Sequence, residues 1–178
     1  MQKPQTRLDS PEAQLAGFLA KFTPEIASRA EGVLAGLRVR LPHALELVYD
    51  NYNALAIGFG PTERASEAIL SIAIFPRWIS LFFLQAGGLP DPTNILKGQG
   101  KVAKHIVLST ASAVQEPAIQ ALIDEALDRA KVPLNPATRH RLIIKSISPK
   151  QRPRRPAETA VKTPPKLPPG KRRGSAKQ

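Results

Sequence analysis

Residues 68–84, AILSIAIFPRWISLFFL, are the most informative stretch for the fold: they are almost entirely apolar, and Arg77 is their only charged residue. The halves on either side of Pro76-Arg77 are rich in β-branched and aromatic residues, which favour strands. The link between them is so short that we expect the two strands to be antiparallel. Neither half reaches the roughly 20 residues of a membrane helix. The stretch therefore predicts the buried centre of a sheet, and we expect no membrane segment.

The N-terminal quarter carries two helix-start signals, Ser10-Pro11-Glu12 and Thr23-Pro24-Glu25. Each combines a capping hydroxyl, a proline suited to the first turn and an acid suited to the positive end of a helix. Apolar residues then recur at helical spacing after both signals. Residues 1–41 are therefore predicted to form helices that pack on the main domain.

The rest of the domain, residues 42–148, is predicted to be mainly strands with one later helix. Alternating or β-branched residues predict further strands at 45–49, 55–59, 103–109 and 141–148. Pro117 opens a helix whose apolar residues lie on one face. This order of elements predicts an α+β fold, with all helices packed on one face of an antiparallel sheet.

The C-terminal segment, residues 149–178, differs sharply in charge from the rest. Residues 1–148 carry 16 Lys/Arg against 13 Asp/Glu, whereas the last 30 residues carry 10 Lys/Arg and one acid. Prolines recur throughout it, so we expect a disordered, locally extended tail. Its basic clusters are Lys150, Arg152, Arg154, Arg155, Lys171, Arg172 and Arg173. Such a tail either binds nucleic acid or another polyanion through phosphates, or only increases solubility.

Several classes of protein are disfavoured by composition. The chain has no cysteine, which removes disulfides, thiolate metal sites and cysteine nucleophiles. No Gly-x-Ser-x-Gly turn is present, and the first 14 residues lack the apolar run of a signal peptide. We therefore expect a cytoplasmic, non-enzymatic protein that is a monomer or a weak dimer.

The loop LKGQGKVAKHI, residues 96–106, combines glycines with lysines. A phosphate-binding P-loop would place Ser or Thr after Lys101 and continue into a helix. Here Val102 follows, and then a predicted strand. The glycines predict a tight turn, and the alternative is an anion contact through Lys101 and Lys104.

Polar-tipped or large residues cluster near predicted turns and form a candidate pocket for a small ligand. They are Tyr49, Asn51, Tyr52, Arg77, Trp78, Asp91 and His105. The alternative is that they serve turn geometry alone. The three histidines, His43, His105 and His140, have no partner at the short spacing typical of metal ligands.

Landmarks along the central segment resemble the YdhG-like family, a small bacterial domain of unknown function. They are Tyr49-Asp50-Asn51-Tyr52, Gly58, Pro61-Thr62-Glu63-Arg64, Pro76-Arg77, Leu81-Phe82-Phe83 and 96–101. The resemblance covers roughly residues 30–155 and implies a frataxin-like α+β sandwich.

Some relatives in this family are described as iron chaperones that serve iron–sulfur cluster or haem assembly, so the resemblance implies iron as a ligand. Hard iron prefers oxygen donors, and the acids that would supply them are Asp124, Glu125 and Asp128. The alternative is that these acids form the solvated face of an amphipathic helix.

Overall fold

The computed structural model describes residues 10–156, which form an α+β fold with a six-stranded sheet. The helices are α1 (Pro11–Leu19), α2 (Pro24–Arg40) and α3 (Pro117–Asp128). The strands are β1 (Leu45–Asp50), β2 (Leu55–Gly60), β3 (Leu70–Ile74), β4 (Ile79–Phe83), β5 (Lys104–Leu108) and β6 (Arg141–Ile147). Short 3₁₀ turns at Ala65–Glu67 and Ala113–Gln115 complete the described elements.

The two N-terminal helices begin where their capping residues predicted. The Ser10 hydroxyl accepts a hydrogen bond from the backbone N–H of Ala13, and Thr23 Oγ1 accepts one from Ile26. Each cap satisfies a donor that has no partner within the helix. Apolar residues of both helices, from Leu15 to Leu37, are buried against the sheet in one continuous core.

The sheet has the strand order β5-β4-β3-β2-β1-β6 and is mixed. The first five strands are joined antiparallel, as predicted, but β6 runs parallel to β1. The prediction of a wholly antiparallel sheet was therefore wrong. The reason is that α3 returns the chain from the β5 edge to the end of the sheet at which β1 begins, so β6 repeats the direction of β1.

The core lies between the helices and one face of the sheet. A row of in-register residues on this face illustrates it: Val48, Ile57, Ile72, Leu81 and Ile106 are all buried and belong to the same cluster as the apolar residues of the helices. Helix α3 contributes Ile119, Leu122 and Ile123 to that cluster. The α+β prediction with the helices on one face is confirmed.

Two glycines of α2 allow the segment before α3 to approach it closely. A Cβ at Gly32 would lie 2.6 Å from the Cβ of Ala111, and one at Gly36 would lie 2.8 Å from Cγ1 of Val114. Both separations are too short for carbon atoms, so glycine is needed for this packing. Within residues 10–156, no helix combines the length and the apolar composition required to cross a membrane.

Candidate functional site

Two hairpin turns lie side by side at one end of the sheet. Asn51 N–H donates to the carbonyl of Ala54 across the β1–β2 turn, and Phe75 N–H donates to that of Trp78 across the β3–β4 turn. Because Leu55 of β2 pairs with Ile74 of β3, both turns project from the same end. The chain also leaves β6 at this end, since Ile147 is paired with Asp50.

The segment 149–156 folds back over these turns. The N–H of Arg152 donates to the carbonyl of Tyr52 at 2.9 Å, and Arg155 Nε donates to the carbonyl of Phe22 at 3.2 Å. Arg154 is only 5% exposed. The prediction of a disordered tail from residue 149 onwards was therefore wrong for residues 149–156, because this segment packs on the domain. The remaining tail residues, including Lys171, Arg172 and Arg173, lie outside the described residues.

Arg154 is held by a buried carboxylate. Its Nη2 donates to Oδ1 of Asp50 at 2.7 Å and also to the carbonyl of Asn51. Its guanidinium carbon lies 5.6 Å from the ring centroid of Phe22. Nε and Nη1 have no hydrogen-bond partner among the described residues. The groups that compensate this buried charge are therefore one carboxylate oxygen of Asp50, the carbonyl of Asn51 and the ring of Phe22.

Asp50 is completely buried, and its neighbours favour the ionised form of its carboxyl group. Burial opposes ionisation, but hydrogen bonds from Lys21, Gln151 and Arg154, together with the charge of Lys21, outweigh it and lower the pKa of Asp50. The Lys21 Nζ lies 2.7 Å from Oδ2. One carboxylate therefore ties the turn between α1 and α2 and the C-terminal segment to the end of β1.

Between the two turns and the folded-back segment lies a groove of about 680 Å³, which we call the arginine groove. It is lined by Asn53, Phe75, Pro76, Arg77, Trp78, Arg152, Pro153, Arg155 and Pro156. Three of these residues are arginines with exposed side chains, and none of the described lining residues is acidic. The groove is therefore an electropositive cleft with an apolar wall.

Aromatic rings border the same arginines. Trp78 is 43% exposed, and its ring stacks on that of Phe75 with centroids 4.8 Å apart. Tyr52 is 49% exposed, and the guanidinium of Arg152 lies 5.7 Å from its ring centroid. The indole of Trp78 is thus supported on one side by Phe75 and available to a planar ligand.

The seven residues of the predicted pocket do not share one cleft. Arg77 and Trp78 line the arginine groove, and Tyr52 borders it. Asp91 lies in another loop, where its carboxylate accepts hydrogen bonds from the backbone N–H groups of Ile95 and Leu96. This contact supports the alternative of turn geometry for Asp91.

The other members of the predicted pocket are distributed over β1, its turn and β5. Asn51 offers its backbone carbonyl to Arg154, and burial raises the pKa of the Tyr49 hydroxyl. His105 lies on β5 with its ring stacked on Phe82, 5.1 Å between centroids. These three side chains are not among the lining residues of the groove.

Sequence reasoning missed that tail arginines and turn aromatics form one site. The sequence alone places Arg152 and Arg155 in a separate basic tail. In the structure they lie beside the aromatic residues Tyr52, Phe75 and Trp78. No local sequence pattern links these residues, because the link depends on Asp50 anchoring Arg154.

Two of the three predicted iron ligands form ion pairs, and the third, Asp128, is exposed. Asp124 pairs with Arg40 of α2, and Glu125 pairs with Arg129 one turn later. Within residues 10–156, no group of three or more His, Asp or Glu side chains is arranged to hold a metal ion. The geometry of Asp124, Glu125 and Asp128 thus fits the solvated helix face rather than an iron site.

A second buried carboxylate, Glu46, accounts for His140. Glu46 is 0% exposed and accepts two hydrogen bonds from Arg38, at 2.7 and 2.9 Å. His140 Nε2 lies 2.7 Å from the same carboxylate. The hydrogen bond to Glu46 raises the pKa of Arg38, against the effect of burial. This cluster joins α2, β1 and the start of β6.

The glycine–lysine loop lies beside the outer edge of β5. Lys97 exchanges two backbone hydrogen bonds with His105, and Gly98 adopts a φ of 108° that favours glycine. This geometry fits the turn interpretation. Lys101 is exposed and Lys104 is partly buried, which leaves a weak anion contact as a prediction.

No family model, curated protein or solved structure matches the chain in comparisons with known proteins. The resemblance to the YdhG-like family therefore rests on the sequence landmarks alone.

Proposed function

We propose that this protein is a non-enzymatic binding module that takes single-stranded nucleic acid into the arginine groove. The observation that supports it is that Arg77, Arg152 and Arg155 line one groove together with the exposed Trp78. Of the two hypotheses drawn from the sequence, small-ligand or iron binding and polyanion binding, this geometry favours the second. It also moves the binding site from the tail alone to the folded domain.

The electrostatic half of the proposal concerns the phosphates. Arginine presents a planar fork of donors that matches a phosphate group. For single strands, the slope of log K against log salt becomes more negative by about 0.7 for each phosphate that the protein contacts. Three groove arginines therefore predict a slope of about −2 from the groove, with any contribution of the tail added to it.

The aromatic half concerns the bases. Stacking of a base on an aromatic side chain contributes about 1–3 kcal/mol and tolerates any base. A duplex keeps its bases stacked on one another, so only an unpaired strand can offer one to Trp78. The proposal therefore predicts a preference for single strands with little sequence specificity.

Trp78 provides the direct test, because it is the only tryptophan in the sequence. Titration of the full-length protein with a single-stranded oligonucleotide of about eight residues should quench its fluorescence and follow a binding isotherm. Inorganic polyphosphate, which has charge but no bases, should bind more weakly and leave the quenching small. A duplex of the same length should also bind more weakly.

Substitutions separate the groove from general charge. Arg77→Gln should weaken binding of a labelled oligonucleotide and reduce the salt slope by about 0.7. Arg139→Gln is the matched control, because Arg139 is exposed and precedes β6 at the opposite end of the sheet. Trp78→Ala should cost about 1–3 kcal/mol of binding, and Trp78→Phe should recover part of it.

The tail is tested in the same full-length protein. Changing Lys171, Arg172 and Arg173 together to Gln should lower the affinity at low salt without removing the quenching of Trp78. If that triple change abolishes binding while Arg77→Gln and Trp78→Ala leave it intact, the groove proposal is wrong and the tail alone binds. Equal affinity for a mononucleotide and for an oligonucleotide would instead assign the groove to a small ligand.

A further inference from the structure

The face of the sheet turned away from the helices continues from the arginine groove. Side chains alternate along a strand, so on β4 Ile79 and Leu81 enter the core, while Ser80 and Phe82 lie on the other face. Trp78 precedes Ile79 and falls on the same side as Ser80. The groove and this second face therefore meet at the start of β4.

We call this second face the open face and define it by two rows of cross-strand neighbours. The first row is Tyr49, Ala56, Ala73, Ser80 and Val107. The second is Leu47, Gly58, Ser71, Phe82 and His105. Leu47 and Ala73 are buried but do not belong to the core cluster that the helices form with the sheet. The apolar residues of α1, α2 and α3 belong to that core cluster and not to this face. Ala68, which follows the 3₁₀ turn at Ala65–Glu67, covers the face at Gly58, where an added Cβ would lie 3.6 Å from the Cβ of Ala68.

The central positions of the open face carry small side chains, and aromatic rings flank them on both sides. Ala56, Ala73 and Ser80 have small side chains, and Ala73 and Ser80 are buried between the larger side chains of this face. Tyr49 stands on the β1 side, and Phe82 with His105 stands on the β4–β5 side. Val107 is 40% exposed beside them. Tyr49, Phe82 and His105 are partly exposed, so a ligand that lies along β4 can contact their rings.

Basic residues stand at both ends of this path. Arg77, Arg152 and Arg155 lie at the Trp78 end. At the other end the lysine-bearing loop pairs with β5, where Lys97 is bonded to the backbone of His105. Trp78 and Phe82 are four residues apart on one strand, which is about 13 Å. Open sheets that bind single-stranded RNA stack two or three bases over a comparable surface.

We infer that the open face carries a single strand onward from the arginine groove, along β4 from Trp78 to the stacked pair Phe82 and His105. This inference rests on the proposed function and adds to it a second contact region, for two or three further bases. Two arguments on the surface itself support a nucleic acid as the occupant. The face is continuous with the groove, and its ends carry cations while the partly exposed rings of Phe82 and His105 lie between them.

Two exposed valines provide a matched pair of variants. Val107 lies on the open face, whereas Val39 lies on α2 and is 84% exposed. Val107→Glu places a negative charge beside the proposed path, and Val39→Glu makes the same change on the helix layer. A second open-face variant, Phe82→Leu, removes the ring while retaining an apolar side chain, and does so without any change in charge.

The experiment compares oligonucleotides of three and nine residues, as RNA and as DNA, on the full-length protein. Val107→Glu and Phe82→Leu should each weaken binding of the nine-residue strand at least about fivefold, since each disturbs base stacking on this face. Neither should change binding of the three-residue strand, which reaches only the groove. Val39→Glu should match the unmodified protein with both lengths.

Three results would overturn the inference. Equal effects of Val107→Glu and Val39→Glu on the nine-residue strand would show that the open face is not contacted. A loss with the three-residue strand as large as with the nine-residue strand would show that the charge acts from a distance. Sedimentation showing a dimer that Val107→Glu dissociates would assign the face to a second copy of the chain. In each case, quenching of Trp78 by the three-residue strand would still support binding in the arginine groove. Failure of the open-face inference can therefore be distinguished from failure of the groove proposal.

Discussion

Arg154 and Asp50 form a buried ion pair, Nη2 to Oδ1 at 2.7 Å, that joins positions 104 residues apart in the chain. Their side chains are 3% and 1% exposed. The pair fixes the segment that carries Arg152 and Arg155 against the two turns that carry Tyr52 and Trp78. A buried salt bridge is weak evidence for stability in itself, but here it determines where neighbouring groups lie.

Removal of Arg154 should destabilise the fold and open the groove. Arg154→Ala leaves Asp50 buried with Lys21 as its remaining charged partner, and we expect the free energy of unfolding to fall by about 3 kcal/mol. Urea denaturation followed by Trp78 fluorescence measures this. Arg152→Ala is the control, because Arg152 is exposed and its loss should change stability by less than about 0.5 kcal/mol. Equal effects of the two variants would contradict the anchoring role.

Asp50 should give the protein a specific acid sensitivity. Its pKa is lower in the folded chain than the usual value near 4. The unfolded chain therefore takes up a proton first, so the stabilising contribution is complete above about pH 4 and is lost as the pH falls through the folded pKa. Asp50→Asn should lower stability at pH 7 and flatten the fall in melting temperature below pH 4. An unchanged acid dependence in the variant would show that Asp50 is not the responsible group.

Two helix glycines should respond in opposite directions to alanine. In α1, a Cβ added at Gly17 would have no atom within 4 Å, so Gly17→Ala should stabilise the protein by about 0.5–1 kcal/mol through helix propensity. In α2, Gly32→Ala brings its methyl group 2.6 Å from the Cβ of Ala111 and should destabilise the protein by about 1–3 kcal/mol. Melting temperatures of both variants measure the difference. Stabilisation by Gly32→Ala would contradict the close packing of residues 110–115 on α2.

The Glu46 cluster should matter more than a surface ion pair on the same helix. Arg38→Gln leaves a fully buried carboxylate with fewer donors and should lower the free energy of unfolding by about 2–3 kcal/mol. Arg29→Gln removes only the pair with the exposed Glu25, one turn away in α2, and should cost less than about 0.5 kcal/mol. Chemical denaturation of both variants at one pH makes the comparison. A smaller cost for Arg38→Gln than for Arg29→Gln would show that Glu46 does not depend on Arg38.

Some residues of the candidate site can be predicted from their sequence neighbours, whereas the positions of others depend on distant parts of the chain. The sequence places Arg77 and Trp78 in the candidate pocket because they are polar-tipped or large residues near the break at Pro76-Arg77. Asp91 was grouped with them on residue type, yet its carboxylate bonds to the backbone of its own loop. Residue type near a turn does not specify which turns meet, since that depends on strand order.

Local pattern determined the elements of this protein. Capping residues fixed the starts of α1 and α2, and the β-branched runs around Pro76-Arg77 fixed β3 and β4, because both signals act over a few residues. Tertiary structure alone decided that β6 lies parallel to β1 and that Arg154 enters the domain. The physical reason is that both outcomes depend on distant parts of the chain. The direction of β6 depends on where α3 returns the chain, and the position of Arg154 depends on the buried carboxylate of Asp50, which requires a cation. The residues next to Arg154 do not specify either condition.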